Sequence, residues 1–329
     1  MLVSADFEYS VAPLRGELLV HCYRMLGSVD DAEDVLQETL VRAWRAIDRF
    51  DERRASLRTW LYRIATNACL TALESRSRRP LPTGLGGPSD DPDAALTATL
   101  EVPWIQPFPD ARLGADPAAV AALSGSLRLA LIAAMQVLPA RQRAILILRD
   151  VLEWPAAQVA DALATTVAAV NSGLQRARAT LAQAGANEEQ VTEPKDPRRR
   201  AILDQYAAAF ESADIQTITR LLTEDVVLEM PPVLHWYSGR GHYGRLLARV
   251  FSRNGTDWRV LPVTANGQPA LAGYARAHNG AYEAISLQVL TVVEAGISHN
   301  VVFTDTSLFP AFGLPPVLAP TAITAPQRQ

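Results

Sequence analysis

One segment of the chain, residues 80–125, constrains the architecture most, because it cannot form a long helix or strand. Prolines occupy eight of its positions, with Gly84, Gly86 and Gly87 among them. Proline removes a backbone hydrogen-bond donor and fixes φ, and glycine weakens regular elements. We therefore predict that residues 81–125 form a linker between two folded parts. A second group of breakers predicts another linker over residues 187–198.

Length and composition limit the class of protein. The 329 residues correspond to two domains with room for a small third, at about 150 residues per domain. Apolar residues make up 49% of the chain, which excludes wholesale disorder. Two cysteines, Cys22 and Cys69, exclude a disulfide scaffold and a Cys-rich zinc module. We predict neither a metal site nor a cofactor.

Targeting signals are not visible in the sequence. There is no run of 18 apolar residues that would predict a membrane span. The first residues contain Asp6 and Glu8 and lack the basic-then-apolar pattern of a signal peptide. The cytoplasm is therefore the expected compartment.

The net charge of −4 conceals an uneven distribution of charge. Residues 28–38 carry five acidic side chains and no basic one, whereas residues 49–80 carry eight arginines against three acids. Residues 126–182 again have more arginines than acids, six against three. An acidic patch followed by two basic segments indicates one cationic and one polyanionic partner.

The first basic segment has helical spacing with a polar face. Apolar residues recur every three or four positions from Leu57 to Ala68, which predicts a helix. The same spacing places Thr59, Arg63, Thr66 and Asn67 together on the opposite face. An aromatic side chain, polar groups and arginines are what capture of single-stranded nucleic acid requires. Trp60 supplies the aromatic, although a place in the core is the simpler interpretation of that residue taken alone.

A helix-turn-helix is predicted over residues 155–181. A short helix from Pro155 to Leu163 precedes a turn at residues 164–166, in which Thr166 can cap the next helix. In the second helix Val170, Leu174, Ala177 and Leu181 face inward, and the polar residues Asn171, Ser172, Gln175, Arg176 and Arg178 face outward. Such a face suits the major groove. An ordinary helical hairpin is the alternative, and Ala164 stands where a glycine would often occur in the turn.

The last third of the chain changes its periodicity. Helical spacing from Ile202 to Phe210 is followed by strand-like runs from residue 226 onward. Helices followed by strands predict an α+β domain.

The combined motifs resemble those of the extracytoplasmic-function sigma factors of the sigma-70 family. The resemblance covers roughly the first 185 residues. It rests on Trp44 and on four stretches, residues 34–39 (DVLQET), 59–67 (TWLYRIATN), 138–143 (LPARQR) and 167–178 (VAAVNSGLQRAR). It implies a region 2 module over residues 5–80, a region 4 module over 126–186, and initiation of transcription by RNA polymerase without covalent chemistry.

The resemblance also implies roles for individual residues. Asp34, Gln37 and Glu38 match the surface that binds the β′ clamp helices of the core polymerase, which also contacts such factors through its β subunit. The residues that match the −10 element and strand-opening site are Arg53, Arg54, Ser56, Trp60, Arg63 and Asn67. Those that match the −35 element site are Asn171, Ser172, Gln175, Arg176 and Arg178. Promoter DNA is thus the expected polyanionic partner.

Residues 199–318 resemble a SnoaL-like, ketosteroid-isomerase-like cone, which occurs in the SigG-like and SigJ-like branches of the family. In these branches the linker keeps a motif rich in proline and aromatic residues, which matches Trp104, Ile105 and Phe108 here. The resemblance implies a regulatory domain whose cavity is a candidate site for a small-molecule ligand. Whether a separate anti-sigma protein acts on the chain is left open.

Catalysis in the cone is the less favoured interpretation. The candidate acids and bases show no pairing by spacing; they are Asp225, Glu229, His235, Tyr237, His242 and His299. The aromatic residues Trp236, Trp258 and Phe303 are expected in the core. The alternatives are a polymerase-independent helix-turn-helix regulator that senses a ligand through its cone, and an isomerase or hydrolase with a DNA-binding module.

Overall fold

The computed structural model describes residues 4–75, 78–113, 127–183 and 197–319. These residues form two units. The first contains the described residues up to 84 and from 101 to 183, and the second contains residues 85–100 together with those from 197 onward. The predicted linker of residues 81–125 is therefore divided between two folded units. Its positions 114–125, and positions 187–196 of the second predicted linker, lie outside the described residues.

The described part of the first unit is built from helices. Its α-helices are α1 Ser4–Val11, α2 Arg15–Leu26, α3 Val29–Ala46, α4 Leu57–Glu74, α5 Leu129–Gln136, α6 Ala140–Leu146, α7 Ala156–Ala162 and α8 Val167–Gln183. A π-helical turn over Ile147–Val151 follows α6. Short 3₁₀ turns occur at Ala12–Leu14, Ile47–Arg49, Pro82–Gly84 and Asp110–Leu113. None of the described helices is long and apolar enough to cross a membrane.

Serine caps begin the two long helices of this unit. The hydroxyl of Ser28 accepts a hydrogen bond from the backbone N–H of Asp31 at the start of α3. The hydroxyl of Ser56 accepts one from the backbone N–H of Thr59 at the start of α4. Both serines have extended backbone angles, as N-cap residues do. Each cap satisfies a backbone N–H that has no partner within its helix.

The turn between α7 and α8 is formed by residues that the sequence singled out. Thr166 accepts a hydrogen bond from the backbone N–H of Ala169 at 3.1 Å, as the cap prediction required. Ala164 has a φ of 48°, in the left-handed region that favours glycine. The turn therefore has the backbone conformation of a glycine turn, although alanine occupies the position. This conformation costs a residue with a Cβ atom about 1–2 kcal/mol of folding free energy.

We expect Ala164→Gly to raise the free energy of unfolding by about 1 kcal/mol. The glycine relieves the left-handed strain of the folded state, and this gain exceeds the loss from the added freedom of the unfolded chain. Ala168→Gly is the matched control. Ala168 lies in the first turn of α8, where the same change removes a helix-favouring residue and should destabilise the protein by up to about 1 kcal/mol. Urea unfolding measures both. If the two variants shift stability in the same direction, the strain argument is wrong.

The second unit is an α+β domain. Helices α9 Pro197–Glu211, α10 Ile215–Arg220 and α11 Arg240–Asn254 pack against a sheet of seven strands, which are β1 Leu222–Glu229, β2 Trp236–Ser238, β3 Trp258–Ala265, β4 Gln268–Arg276, β5 Tyr282–Val293, β6 Gly296–Phe303 and β7 Val317–Leu318. The order is β2-β1-β6-β5-β4-β3, and β7 pairs with β5. Only β1 and β6 pair in parallel. A 3₁₀ helix over Thr306–Phe312 precedes β7.

An aromatic cluster forms part of the core between α9, α11 and the sheet. Phe210, Phe251 and Trp258 meet edge to face, with ring centroids 5.2–5.9 Å apart. Trp258 and Phe303 are buried, as predicted. Trp236 is not a core residue, because it is half-buried and its Nε1 donates a hydrogen bond to the carbonyl of Gly86 at 2.8 Å.

Candidate functional site

The predicted polymerase-binding residues lie together on the surface of α3. Asp34, Gln37 and Glu38 are exposed and are spaced by three and four positions, so they occupy one face. Glu38 pairs with Arg42 of the same helix at 2.7 Å, and two other acids of the patch pair with arginines outside α3. Asp31 pairs with Arg79 at 2.7 Å, and Glu33 pairs with Arg112 at 2.6 Å.

Trp44, near the end of α3, is 53% exposed rather than part of the core. The neighbouring Ala43 is the residue that α3 buries at this point.

Gln106 is a structural residue of this surface that the sequence analysis missed. Its Oε1 accepts hydrogen bonds from the hydroxyl of Ser28 and the backbone N–H of Val29, both at 2.8 Å. Its Nε2 donates to the carboxylate of Asp30 at 2.7 Å. The side chain thus closes the N-terminus of α3 from 76 positions further along the chain. No local pattern could reveal a cap that comes from so far away.

The residues of the predicted linker motif, Trp104, Ile105 and Phe108, belong to the first unit. Ile105 and Phe108 are buried, and the ring of Phe108 packs on that of Tyr23 with centroids 4.9 Å apart. Trp104 is half-buried, and its carbonyl accepts a hydrogen bond from Arg79 at 3.0 Å. Phe108 thus anchors the chain on α2, whereas residues 85–100 belong to the second unit.

The polar face of α4 contains three of the four residues that the spacing predicted. Thr59 is half-buried, and Arg63 and Asn67 are exposed. Thr66 is buried instead, where its hydroxyl donates to the carbonyl of Tyr62 at 2.7 Å and contacts Nε2 of His21 at 2.9 Å. A threonine can bond to its own helix and leave its methyl group in the core, so its polarity was a poor guide to its face.

Trp60 lies at the edge of this face. It is half-buried, and its ring packs on that of Phe50 with centroids 4.9 Å apart. Arg53, Arg54 and Ser56 are exposed in the preceding loop. The indole is therefore supported from one side by another aromatic ring, which fixes the orientation in which it could stack on a base.

Helix α7 of the helix-turn-helix lies against the polar face of α4. Arg63 pairs with Asp161 at 3.1 Å. Nδ2 of Asn67 donates to the carbonyl of Ala162 at 3.4 Å, and Nε2 of Gln158 donates to the hydroxyl of Thr59 at 3.4 Å. Two predicted nucleic-acid contacts, Arg63 and Asn67, are thus partly occupied by the chain itself.

Arg143 joins the two helical modules from within. It is 3% exposed, and its guanidinium donates to the carbonyls of Met135 at 2.9 Å and Leu138 at 3.1 Å. It also donates to Oε1 of Gln136 at 2.7 Å and to the carbonyl of Met25, near the end of α2. Burial lowers the pKa of Arg143 to about 10, so the side chain stays charged at neutral pH. A cation there suits the negative end of the α2 dipole.

The second helix of the helix-turn-helix, α8, has the predicted two faces. Val170, Leu174 and Ala177 are buried, and Leu181 is half-buried. Its outer face carries the exposed residues Asn171, Ser172, Gln175, Arg176 and Arg178. Arg178 forms a two-pronged ion pair with Asp150, at 2.7 and 2.9 Å.

One pair of the candidate acids and bases in the second unit is brought together. Nε2 of His299 lies 2.7 Å from Oε1 of the buried Glu229. The pair comes from β1 and β6, which are adjacent and parallel, and 70 positions separate the two residues. Nδ1 of His242 donates to the carbonyl of Ser238 at 2.8 Å.

The second unit contains a cavity of about 230 Å³ between α11 and the sheet. Apolar side chains supply much of its lining, and a buried polar cluster around Asn300 borders it. None of the six candidate acids and bases, all of which are described residues, lines this cavity.

Comparison with known proteins gives a consistent result. Three families match in succession: Sigma-70 region 2 over residues 11–79, Sigma-70 region 4 over 128–181, and SnoaL-like domain over 203–298. The chain is 48% identical over 313 residues to the ECF RNA polymerase sigma factor SigG of Mycobacterium tuberculosis, which covers 94% of this chain and 84% of that protein. It is 29% identical over 214 residues to SigJ of the same organism, which covers 65% and 61%.

A solved structure shares the fold of the chain. The crystal structure of Mycobacterium tuberculosis SigJ matches 93% of this chain and 99% of its own, with a TM-score of 0.64 and 22% identity. Two helical modules, the second with a helix-turn-helix, and a SnoaL-like domain define a transcription factor of the sigma-70 class. The chain belongs to the extracytoplasmic-function (ECF) RNA polymerase sigma factors, and it carries a C-terminal SnoaL-like domain.

Proposed function

We propose that the three exposed surfaces of the first unit divide promoter recognition among them. Asp34, Gln37 and Glu38 bind the core polymerase in the cytoplasm. The face of α4 with Trp60 holds the separated strands of the −10 element, and the outer face of α8 reads the −35 element. The observation that carries the proposal is α8 itself, where five polar residues are exposed over a buried apolar face.

The side chains of α8 suit base recognition in the major groove. Asn171 and Gln175 can each pair with adenine through two hydrogen bonds, and Arg176 can pair with guanine. Ser172 is small enough to let the helix approach the bases. Arg178 would meet a phosphate only after it exchanges its partner, since Asp150 now holds both prongs of its guanidinium.

Run-off transcription with purified core polymerase tests the function directly. We expect Trp60→Ala to slow opening of a duplex promoter by about tenfold to hundredfold, because a stacked base contributes about 1–3 kcal/mol. A promoter with a pre-separated −10 region should restore most of the rate, since no strands remain to be parted. Tyr9→Ala removes an aromatic that is 85% exposed on α1 and is the control. An equal defect on both promoters would show that Trp60 does not act in melting.

The contact between α7 and α4 supports a second element of the proposal, a closed state of the free protein. Arg63 and Asn67 cannot hold DNA while Asp161 and Ala162 hold them. Binding of the −10 strand therefore requires α7 to leave the face of α4. The ion pair is largely exposed and opposes this by at most about 1 kcal/mol.

We expect Asp161→Arg to strengthen binding of a single-stranded −10 oligonucleotide by about twofold to fivefold, because it replaces an attraction of up to about 1 kcal/mol by a repulsion from Arg63. Glu153→Arg makes the same change of net charge at an exposed position of the same module. Fluorescence anisotropy measures both. Should the two variants strengthen binding equally, added positive charge explains the effect and the contact does not control access.

We further propose that the SnoaL-like domain regulates the factor and does not catalyse a reaction. The pair of Glu229 and His299 is the best candidate for acid–base chemistry, yet neither residue lines the cavity where a substrate would bind. Segment 85–100 connects the promoter-binding modules along the chain and is also part of this domain. A change in how firmly the domain binds that segment would change the length of free chain between the two promoter-binding modules.

A further inference from the structure

A groove of about 270 Å³ lies in the first unit between α2, α3 and the 3₁₀ turn Asp110–Leu113. Its apolar lining consists of Leu19 and Leu36, which are both buried. Glu33 and Gln37 also line it from α3. These two residues are four positions apart, so they lie on one side of the helix. Since Gln37 belongs to the proposed polymerase-binding face, the groove continues that face.

The carboxylate of Glu33 has a partner that is poorly placed. Nη1 of Arg112 lies 2.6 Å from Oε1 of Glu33. Oε1 is buried, yet no described residue, Arg112 included, gives it an aligned hydrogen bond. A carboxylate oxygen gains most from a charged donor whose N–H points at it. A better aligned cation would therefore bind Glu33 more strongly than Arg112 does.

The turn that carries Arg112 rests closely on α2. A Cβ atom on Gly16 would lie 3.3 Å from the carbonyl oxygen of Leu113, which is closer than an ordinary van der Waals contact. Leu113 is buried, and the backbone N–H of Arg112 donates to the carbonyl of Pro109 at 3.0 Å. The glycine thus lets the turn approach α2 and place Arg112 beside Glu33.

The pair of Arg112 and Glu33 is weak enough to exchange partners. The two side chains are 44% and 39% exposed, so water screens their attraction. The buried leucines of the groove suit the methylene stem of an arginine or lysine, whose charged end would reach the carboxylate. Arg15, the other cation of the lining, is exposed, so its repulsion of such a side chain is also screened.

We propose that this groove extends the polymerase-binding surface by receiving a basic side chain of the core enzyme, which bonds to Glu33 in place of Arg112. The turn Asp110–Leu113 covers part of the surface in the free protein and releases it when the core enzyme binds. Charge complementarity to Glu33 and continuity with the face of α3 support this occupant. The inference rests on the proposed role of that face in binding polymerase.

Competition with a labelled factor for core enzyme tests the exchange in the full chain. We expect Arg112→Met to strengthen binding by about twofold to fivefold, because the ion pair no longer has to be broken. Arg112→Lys keeps a charge that can reach Glu33 through one nitrogen, so it should bind core enzyme less tightly than Arg112→Met. Equal affinities of Arg112→Met and the unchanged protein would overturn the proposal.

Arg259→Met is the control for net charge, because it removes the same charge from an exposed position of the second unit. Its affinity for core enzyme should stay within about 1.5-fold of that of the unchanged protein, since exposed charges outside an interface contribute little. If it strengthens binding as much as Arg112→Met does, the net charge accounts for the effect and the exchange is refuted.

Glu33→Gln shows whether the carboxylate is the shared partner. With Glu33→Gln already present, Arg112→Met should change the affinity by less than about 1.5-fold, because there is no charge left to cover. The double variant should also bind about threefold or more weakly than Arg112→Met alone, since the basic side chain of the core enzyme has lost its partner. Failure of either expectation would show that no such exchange occurs at Glu33.

The outcome can be separated from that of the polymerase-binding proposal. Reversal of the charges of Asp34 and Glu38 tests the face of α3 without touching the groove. If that reversal abolishes binding while Arg112→Met changes nothing, the face stands and only the exchange is refuted. If the reversal leaves binding intact, the face itself is wrong.

Discussion

Reversing the charges of Asp34 and Glu38 together is expected to lower the affinity for core RNA polymerase by a hundredfold or more. Both side chains are exposed on one face of α3, and neither is buried by the packing of the first unit. Like charges placed together in an interface cost several kcal/mol, and about 2.7 kcal/mol corresponds to a hundredfold change. The expected variant is Asp34→Arg with Glu38→Arg, measured by competition with a labelled factor for core enzyme.

A matched control separates this effect from the general change in charge. Asp204→Arg with Asp225→Arg alters the net charge equally at two exposed positions of the second unit. This control should bind core enzyme within about threefold of the unchanged protein, because exposed charges outside an interface contribute little. If both double variants lose binding alike, the face of α3 has no special role and the polymerase-binding proposal fails.

The second large effect is expected from Arg143→Met, which should destabilise the first unit by about 3 kcal/mol or more. The substitution leaves the carbonyls of Met25 and Leu138 without their charged donor in the interior. Hydrogen bonds to a charged group contribute about 1.5–3 kcal/mol each, and the apolar replacement recovers only part of that loss. Hydrogen exchange of peptides from α5 and α6 measures the local loss of stability.

Arg141→Met serves as the control two positions away. Arg141 is exposed and donates to the carbonyl of Leu163 at 2.8 Å. We expect its replacement to cost less than about 1.5 kcal/mol, the upper range for an ordinary hydrogen bond. Comparable losses in the two variants would mean that the buried network of Arg143 does not hold the modules together.

The helices and the general order of the units could be predicted because they depend on local patterns. Apolar spacing located α4 and α8, Thr166 marked the cap of α8, and the change of period near residue 226 marked the α+β domain. The motifs added the family, which the comparisons confirm. These features lie in short stretches of sequence and need no knowledge of distant contacts.

Contacts between residues that are far apart in the sequence could not be predicted. The pairing of Glu229 with His299 needs the register of two strands, and the cap formed by Gln106 needs a loop to return to α3. The contact of Asp161 with Arg63 likewise joins residues 98 positions apart. Spacing within one element holds no information on any of these.

The sequence predicted which face of a helix carries each proposed binding surface, but it could not predict which of those residues already have partners within the chain. Asn67 is exposed on the predicted side of α4, yet it already has a partner in α7. The polar cluster at Asn300 went unnoticed because its members, Tyr206, Tyr243 and Gln288, come from three separate elements and carry no charge.

The second unit is assembled from two separate pieces of the chain, and this affects every experiment that removes it. A stop codon placed before Pro197 deletes the sheet but leaves residues 85–100 behind, with the carbonyls of Gly86 and Pro92 stripped of Trp236 and Arg249. Leu96 would lose its apolar neighbours in the domain and become exposed to solvent. A change in transcription by such a fragment could then come either from loss of the domain or from misfolding of residues 85–100, which have lost their partners. Removal of the whole unit therefore needs two changes. The chain must end before Pro197, and residues 85–100 must be replaced by a polar spacer of equal length.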